Sequence, residues 1–286
     1  MGKKRELNTK DNIRVVTSNS FITALELSKM SLKARKLLYI AIAQCQKNDD
    51  EFYEYSITVP EFAKLMDIAT THVYQEADEL TDELAKSIIR VQRKGKKSFE
   101  KYPLTSCCEY EDKKFLRIEL NPRMTELLLH LKGNFTQALL SDFLRMRSPY
   151  SMAIWHLMQR EMKSKKPGSR RIDFYLSIDE LRQVTGTEEK YIKIGMWKER
   201  ILDKAIREIQ ENCGTVITYK YKKISRTIIG FDFCAINEFG IDLTDYKPTA
   251  AVLEKGRWIE LKRISKERIL DSSEQKELDE LQLKYQ

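Results

Sequence analysis

A helix-rich α+β chain made of two tandem domains of one design is the fold class predicted, and three observations predict it. The first is internal repetition. Ala34 and Leu38 in SLKARKLLYIAIAQ match Ala153 and Leu157 in SPYSMAIWHLMQRE at an offset of 119 residues. At the same offset, Ile57, Val59, Glu61, Phe62 and Leu65 match Leu176, Ile178, Glu180, Leu181 and Val184. After two extra residues in the second copy, Leu80, Leu84 and Ile88 match Ile201, Ala205 and Ile209. Self-similarity at a fixed offset over several elements means one supersecondary design used twice. The second observation is that both copies carry helical and extended patterns in the same order. The third is size: 286 residues with 42% hydrophobic and 9% aromatic content fold, but are long for one core. The expected division is residues 1–132, then 133–246, then a polar helical or frayed tail over 247–286.

Each copy opens on a long amphipathic helix, Ser31 to Gln46 and Ser148 to Lys163. In the second, Ser148 supplies an N-cap and Pro149 suits the first turn. A short extended piece follows, then a short helix starting at Val59-Pro60 or at Ser177-Ile178. Ser177 and Glu180 have capping-box spacing, and Gly186 is a natural helix stop. A turn leads to a longer helix, roughly Thr71 to Val91 and Ile194 to Asn212. Strands close each copy. In the first, Ile88 to Gln92 and Phe115 to Leu120 flank a basic loop and the Ser106 to Tyr110 stretch. In the second, VITYKYKK and RTIIGFDFCA, parted by Ile224-Ser225, read as a hairpin. Helix, short helix, turn, longer helix and hairpin is the order of a winged helix-turn-helix. That motif places its third helix in the major groove and its hairpin on the backbone.

Charge then separates the two copies. The formal net charge is +8, and between Arg160 and Arg226 17 Lys and Arg stand against 10 Asp and Glu. A footprint of this kind fits a polyanion, either nucleic acid or an anionic membrane surface. A projection of Ile194 to Asn212 at about 100 degrees per residue buries Ile194, Ile201, Leu202, Ala205 and Ile209, with Trp197 at the margin. The opposite side presents Met196, Arg200, Asp203 and Arg207, flanked by Lys193, Glu199 and Lys204. Most mixed-charge helix faces are solvated and laced with ion pairs. Here the hairpin adds Lys220, Lys222, Lys223 and Arg226, which favours DNA. The equivalent helix of the first copy buries Val73, Ala77, Leu80, Leu84 and Ile88 and exposes Gln75, Asp78, Glu79, Asp82 and Lys86. Carboxylates repel a phosphate lattice, so this helix is a poor groove reader. Its wing, RVQRKGKKSFEK, supplies Arg90, Arg93, Lys94, Lys96, Lys97 and Lys101 for phosphates. The second copy is therefore expected to read sequence, while the first clamps backbone and offers surface to another protein.

Several chemistries lack their residues. Gly95-Lys96-Lys97-Ser98 misses the upstream glycine of a phosphate loop. The three histidines, His72, His130 and His156, form no H-x-H or H-E-x-x-H, so neither a metal site nor another cofactor is expected. Five cysteines without a C-x-x-C pair make neither a zinc site nor a disulfide framework. The start, MGKKRELNTK, has no apolar signal core, and Glu6 stands where a myristoylation motif has Ser or Thr. No apolar run approaches the roughly 18 to 20 residues of a membrane span, so a cytoplasmic protein is expected.

LLSDFLRMRSPYSMAIWHLMQRE, FYLSIDELRQVTG, YIKIGMWKERILDKAIREIQEN and VITYKYKKISRTIIGFDF together resemble the initiator proteins of iteron-containing plasmids, theta-type replication initiators of the RepB/RepE kind. NSFITALELSKMSLKARKLLYIAIAQ with ITVPEFAKLM is similar to the amino-terminal half of that family, so the resemblance spans about Val16 to Ile236. It implies two tandem winged-helix domains, binding to direct repeats at a plasmid origin, origin opening, and recruitment of the host replication initiator and helicase machinery. It implies a monomer that initiates, and a homodimer that represses its own gene, with an inverted-repeat operator as a second DNA target. The base-reading role falls on Lys198, Arg200, Lys204 and Arg207, although the projection turns Lys198 partly toward the apolar side. No enzymatic activity is expected. The alternatives are a winged-helix transcriptional repressor, a rolling-circle nicking initiator (which needs a histidine pair), and a membrane-surface or scaffolding protein.

Overall fold

The structure, a computed structural model, describes residues 4–6, 13–46, 48–66, 68–92, 98–111, 113–131, 134–163, 171–236, 261, 265 and 270–285. It divides into two compact units, residues 1–160 with 182–190 and residues 161–181 with 191–286. In chain order the first unit holds β1 (Lys4–Glu6), β2 (Arg14–Ser18), α1 (Asn19–Ile22), α2 (Leu32–Ile42), β3 (Glu54–Thr58), α3 (Val59–Met66) and α4 (Val73–Lys86). It continues through β4 (Ile88–Gln92), β5 (Phe99–Pro103), β6 (Thr105–Glu111), β7 (Phe115–Leu120), α5 (Thr125–Leu128), β8 (Phe135–Leu139), α6 (Leu140–Arg145) and most of α7 (Pro149–Lys163). One sheet has the order β1-β3-β7-β6, parallel only between β1 and β3. The β2–β8 and β4–β5 pairs are separate antiparallel ribbons. α2 is the centre of the core, with Leu37, Leu38 and Ile40 to Ile42 fully buried beside Tyr55, Phe62, Leu84 and Leu116. An α-helix buried on almost every side belongs at the middle of a domain rather than on its surface.

The second unit is a three-stranded antiparallel sheet backed by helices. It contains β9 (Arg171–Ser177), part of α8 (Ile178–Thr185), α9 (Ile194–Trp197), a π-helical turn (Lys198–Leu202), α10 (Asp203–Cys213), β10 (Val216–Ile224) and β11 (Thr227–Ile236). β11 is the central strand, with β10 and β9 on either side. Its inner face is aromatic: Phe174 stacks on Phe233 at 5.3 Å, and Tyr219 meets Phe231 edge-on at 5.4 Å. Trp197, fully buried, lies 6.3 Å from Phe231 and so anchors the helical run to the sheet. Gly214, at φ 60°, ends α10 in the left-handed conformation that glycine adopts without steric cost.

The repeat extends to the helix caps. The Glu61 N–H donates to Thr58 Oγ1 at 3.4 Å, while the Thr58 N–H donates to Glu61 Oε2 at 3.2 Å. One offset later, the Glu180 N–H donates to Ser177 Oγ at 3.1 Å, and that hydroxyl donates to Glu180 Oε2 at 3.2 Å. Each cap satisfies a backbone donor that a helix start leaves open. Equivalent apolar pairs are buried alike, including Leu38 with Leu157, Phe62 with Leu181 and Leu84 with Ala205. The last pair departs from the pattern: Ile209 is buried in α10, whereas Ile88 begins β4 and is 46% exposed. α4 ends at Lys86 rather than continuing toward Val91 because Ser87 adopts extended backbone.

The first compact unit runs past the division expected at residue 132 to Arg160, because β8 and α7 are held to residues that precede it. β8 pairs along its length with β2. In α7, His156 Nε2 lies 3.1 Å from Thr17 Oγ1, and its Nδ1 lies 2.8 Å from the Tyr39 hydroxyl. Arg35 Nη1 donates to the Pro149 carbonyl at 3.0 Å, and within the segment itself Trp155 Nε1 donates to Asp142 Oδ2 at 3.2 Å, joining α7 to α6. The first helix of the second copy therefore packs mainly in the first unit. The tail differs from a frayed one in its last part. There α11 (Ser272–Tyr285) forms a helix, and Leu261, Leu270 and Leu278 make a small buried cluster with Leu281 against it. None of the five cysteines is joined in a disulfide.

Burial pushes the Asp142 carboxyl up to about 7, against the Trp155 hydrogen bond and the Arg145 charge, which pull it down. An unfolded Asp ionises near pH ~4, so between the two values the folded chain holds a proton that the unfolded chain has released. Stability should therefore fall as pH rises from about 4 to 7 and level off above, by a few kcal/mol in order of magnitude. Thermal melts of the full chain should show the first unit less stable at pH ~8 than at pH ~5, with Asp142→Asn removing most of that difference. An unchanged slope in the variant would assign the effect to another group.

Candidate nucleic-acid interface

The interface is built on the helical run from Ile194 to Cys213, and the π turn decides what that run exposes. The Asp203 N–H bonds to the Lys198 carbonyl five residues back, which widens one turn and shifts the phase of everything after it. Trp197, Ile201, Leu202, Ala205, Ile206 and Ile209 are consequently all buried against the sheet. Lys193, Met196, Glu199, Arg200, Lys204 and Arg207 are exposed, with Arg200, Lys204 and Arg207 each lying just before or just after a buried apolar position. The run thus presents a mostly basic stripe because its other face is held by the aromatic sheet.

Two expectations change with the phase. Asp203, placed by a regular projection at the centre of the exposed face, is half-buried. Its carboxylate accepts from the Tyr219 hydroxyl and lies 2.8 Å from Lys198 Nζ. Lys198 is turned inward to that carboxylate, with Nζ 5.5 Å from the Tyr219 ring centre and only 20% of its side chain exposed. Its ammonium is engaged inward rather than presented with the other cations of the run: a pair five apart in sequence is brought together by a five-residue turn. The helical projection turns Lys198 partly toward the apolar side, but it places Asp203 outward and misses Tyr219 and Tyr191. Arg200 lies over the Tyr191 ring, 5.6 Å from its centre, which restrains a guanidinium that is otherwise in solvent.

The hairpin following the helix belongs to the same unit and is tied to it twice. Tyr219 of β10 holds Asp203, and Gln210 Oε1 accepts the Ile217 N–H at 2.8 Å. The connection is Ser225-Arg226, one residue later than expected, with Ser225 at φ 55° and Ile224 opposite Thr227. A bulge between Lys222 and Lys223 twists the arm. Lys220, Lys222, Lys223 and Arg226 are all exposed along it; Lys222 Nζ lies 3.5 Å from Asp232 Oδ2. Five of the sequence-derived cations therefore sit on the helix or its approach and four on the hairpin, and all but Lys198 face solvent. These groups suit phosphate oxygens and guanine edges.

The first unit offers a different surface. On α4, Gln75, Asp78, Glu79, Asp82 and Lys86 are exposed as expected. The carboxylates of Glu76 and Glu83 instead fasten α4 to α2: Glu76 lies 2.7 Å from Lys33 Nζ, and Glu83 accepts the Ser31 hydroxyl at 2.7 Å. Tyr74, which sequence reasoning passed over, is 67% exposed and meets Tyr110 edge-on at 5.7 Å. The wing is the β4–β5 ribbon, where the Arg90 guanidinium lies over the Phe99 ring at 4.2 Å and Lys101 approaches it at 5.4 Å. Arg93, Lys94, Lys96 and Lys97 lie outside the described residues.

Comparison with known proteins fits this geometry. Residues 14–159 match the family described as "Initiator Replication protein, WH1", and residues 177–234 match "Initiator Rep protein, WH2". The first match follows the observed unit boundary closely, ending one residue before Arg160. Among solved structures, the chain is similar to one titled "Crystal structure of Pi initiator protein in complex with iteron DNA". Identity is 20%, the match covers 79% of this chain and 98% of that one, and the TM-score is 0.68. A helix-rich α+β chain with two winged-helix units, matched over most of its length, belongs to the initiator replication protein family.

Proposed function

We propose that the chain binds short direct repeats in the double-stranded DNA of a plasmid replication origin, reading bases with its second unit and holding backbone with its first. The observation that carries this is the continuity of exposed cations from Lys193, Arg200, Lys204 and Arg207 on the helix to Lys220, Lys222, Lys223 and Arg226 on the hairpin. A mixed-sign solvated face would not be expected to continue onto the next element with one sign. The solved relative's complex with iteron DNA supports the same reading.

Origin opening, recruitment of the host replication initiator and helicase, and repression of its own gene by a homodimer in equilibrium with the monomer complete the proposal. An inverted-repeat operator would be the dimer's target, and the cytoplasm the site of action. Family membership supports these steps. The chain acts by binding, without enzymatic activity: its sequence has no histidine pair of the kind a metal-dependent nicking centre uses. A winged-helix repressor would use the same scaffold, and replication of a plasmid carrying the gene and its flanking repeats separates the two. An unreplicated plasmid with the gene expressed would favour the repressor.

Arg200→Ala should lose on the order of 1 to 3 kcal/mol of discrimination between the repeat and random duplex at one fixed salt concentration, because a bidentate guanine contact is lost. Equal loss on both duplexes would make Arg200 a phosphate contact. Ala205→Asp, on the buried face, is the contrasting control and should unfold the unit.

Neutralising Lys94, Lys96 and Lys97 should weaken binding to every sequence and reduce the slope of log affinity against log salt by roughly one per lost phosphate contact. A changed sequence preference would instead make that loop a base reader. Lys198→Ala should leave the salt slope unchanged, since its ammonium is engaged with Asp203. A reduced slope would return Lys198 to the phosphate-contacting set.

A further inference from the structure

We propose that the start of the second unit's helical run is a thymine-reading site, in which Ile192 and Met196 pack on C5-methyl groups beside the base that Arg200 reaches. The proposal rests on the duplex-binding reading above and adds a ligand group to it. Ile192 is 85% exposed and Met196 42% exposed, in a stretch where Lys193, Gly195, Glu199 and Arg200 are also exposed. Tyr191, at φ 52°, turns the chain into the helix, and its ring lies under the Arg200 guanidinium at 5.6 Å, which brings the segment just before the helix beside Arg200. Large apolar side chains standing in water among cations gain nothing in the free protein. On the major-groove edge of DNA, the thymine methyl is the apolar group that would cover them.

Gly195 supplies an independent observation. It lies between the two apolar residues, is exposed, and a Cβ added to it would meet no atom within 4 Å. Its backbone has negative φ, so neither space nor conformation calls for glycine there. Alanine would favour the helix by up to ~1 kcal/mol, so the free protein is the poorer for this residue. A bare backbone at that point lets a partner surface approach the helix closely, which is the other use of glycine. Ile192 and Met196 then flank the point of closest approach, as methyl contacts in a groove require.

The test begins by selecting preferred sites from a random-sequence duplex pool with the full-length protein. The preferred duplex is then made twice, with thymine and with deoxyuridine, which differs only in the missing methyl. The parent should bind the uracil duplex about fourfold more weakly for each methyl lost within the helix footprint. The double variant Ile192→Ala/Met196→Ala should fold normally and bind both duplexes equally. Gly195→Ala should melt no lower than the parent, yet bind the selected duplex about tenfold more weakly because its methyl is forced against the DNA. Equal binding of thymine and uracil duplexes by the parent overturns the proposal while leaving base reading by Arg200 intact. Full binding by Gly195→Ala also overturns it, since no close approach occurs there. Failure of the selection to yield any preferred site would be the distinct failure of the duplex-binding reading itself.

Discussion

The aromatic face of the β9–β11–β10 sheet constrains everything that the second unit can present. Phe174, Phe231, Phe233 and Tyr219 require an apolar cover, and Trp197 with Ile201, Leu202, Ala205, Ile206 and Ile209 supplies it. A regular α-helix places Trp197 and Leu202 on the same side less well than a run with one widened turn. The π turn reconciles them. Its consequence is felt on the far face. With the apolar residues locked inward, Arg200, Lys204 and Arg207 point outward, Arg200 over the Tyr191 ring, and Asp203, which would interrupt them, is drawn in to Tyr219 and Lys198. The basic character of the exposed stripe is thus made by packing as much as by composition.

The same design yields another result in the first unit because its charges are spent differently. Glu76 and Glu83 anchor α4 to Lys33 and Ser31 of α2, while Asp78, Glu79 and Asp82 remain outward. Phosphates would be repelled along that face, whereas the ribbon beside it carries Arg90 and Lys101 gathered around Phe99. Two units related by repetition therefore present surfaces of different charge without any change in fold. The buried Thr17–His156–Tyr39 chain and the Trp155–Asp142 bond show how firmly α7 is bound into the first of them.

Much of this was readable in the sequence where the physics is local. Ser177 and Glu180 announced a helix start, Gly186 and Gly214 stand at helix ends in left-handed backbone, and the hairpin followed from alternation of aromatic and β-branched residues. The fixed offset correctly paired Leu38 with Leu157 and Phe62 with Leu181 as core positions. The failures share one cause, which is that distant elements decide them. Asp203 could be placed only by knowing that Trp197 must reach Phe231, and the end of α4 only by knowing that Ser87 turns extended, although the strand from Ile88 to Gln92 was expected with the bounds β4 has. The unit boundary was misplaced because His156 and Pro149 find their partners, Tyr39, Thr17 and Arg35, more than a hundred residues earlier.

The central claim is that one continuous surface of the second unit faces the duplex while α4 of the first does not. Lysine acetylation of the full chain, read residue by residue with and without a duplex carrying the direct repeats, measures this surface directly. The account predicts that DNA protects Lys193, Lys204, Lys220, Lys222 and Lys223, and leaves Lys86 on α4 and Lys276 on α11 as reactive as before. Uniform protection across both units, or protection strongest at Lys86, would contradict it.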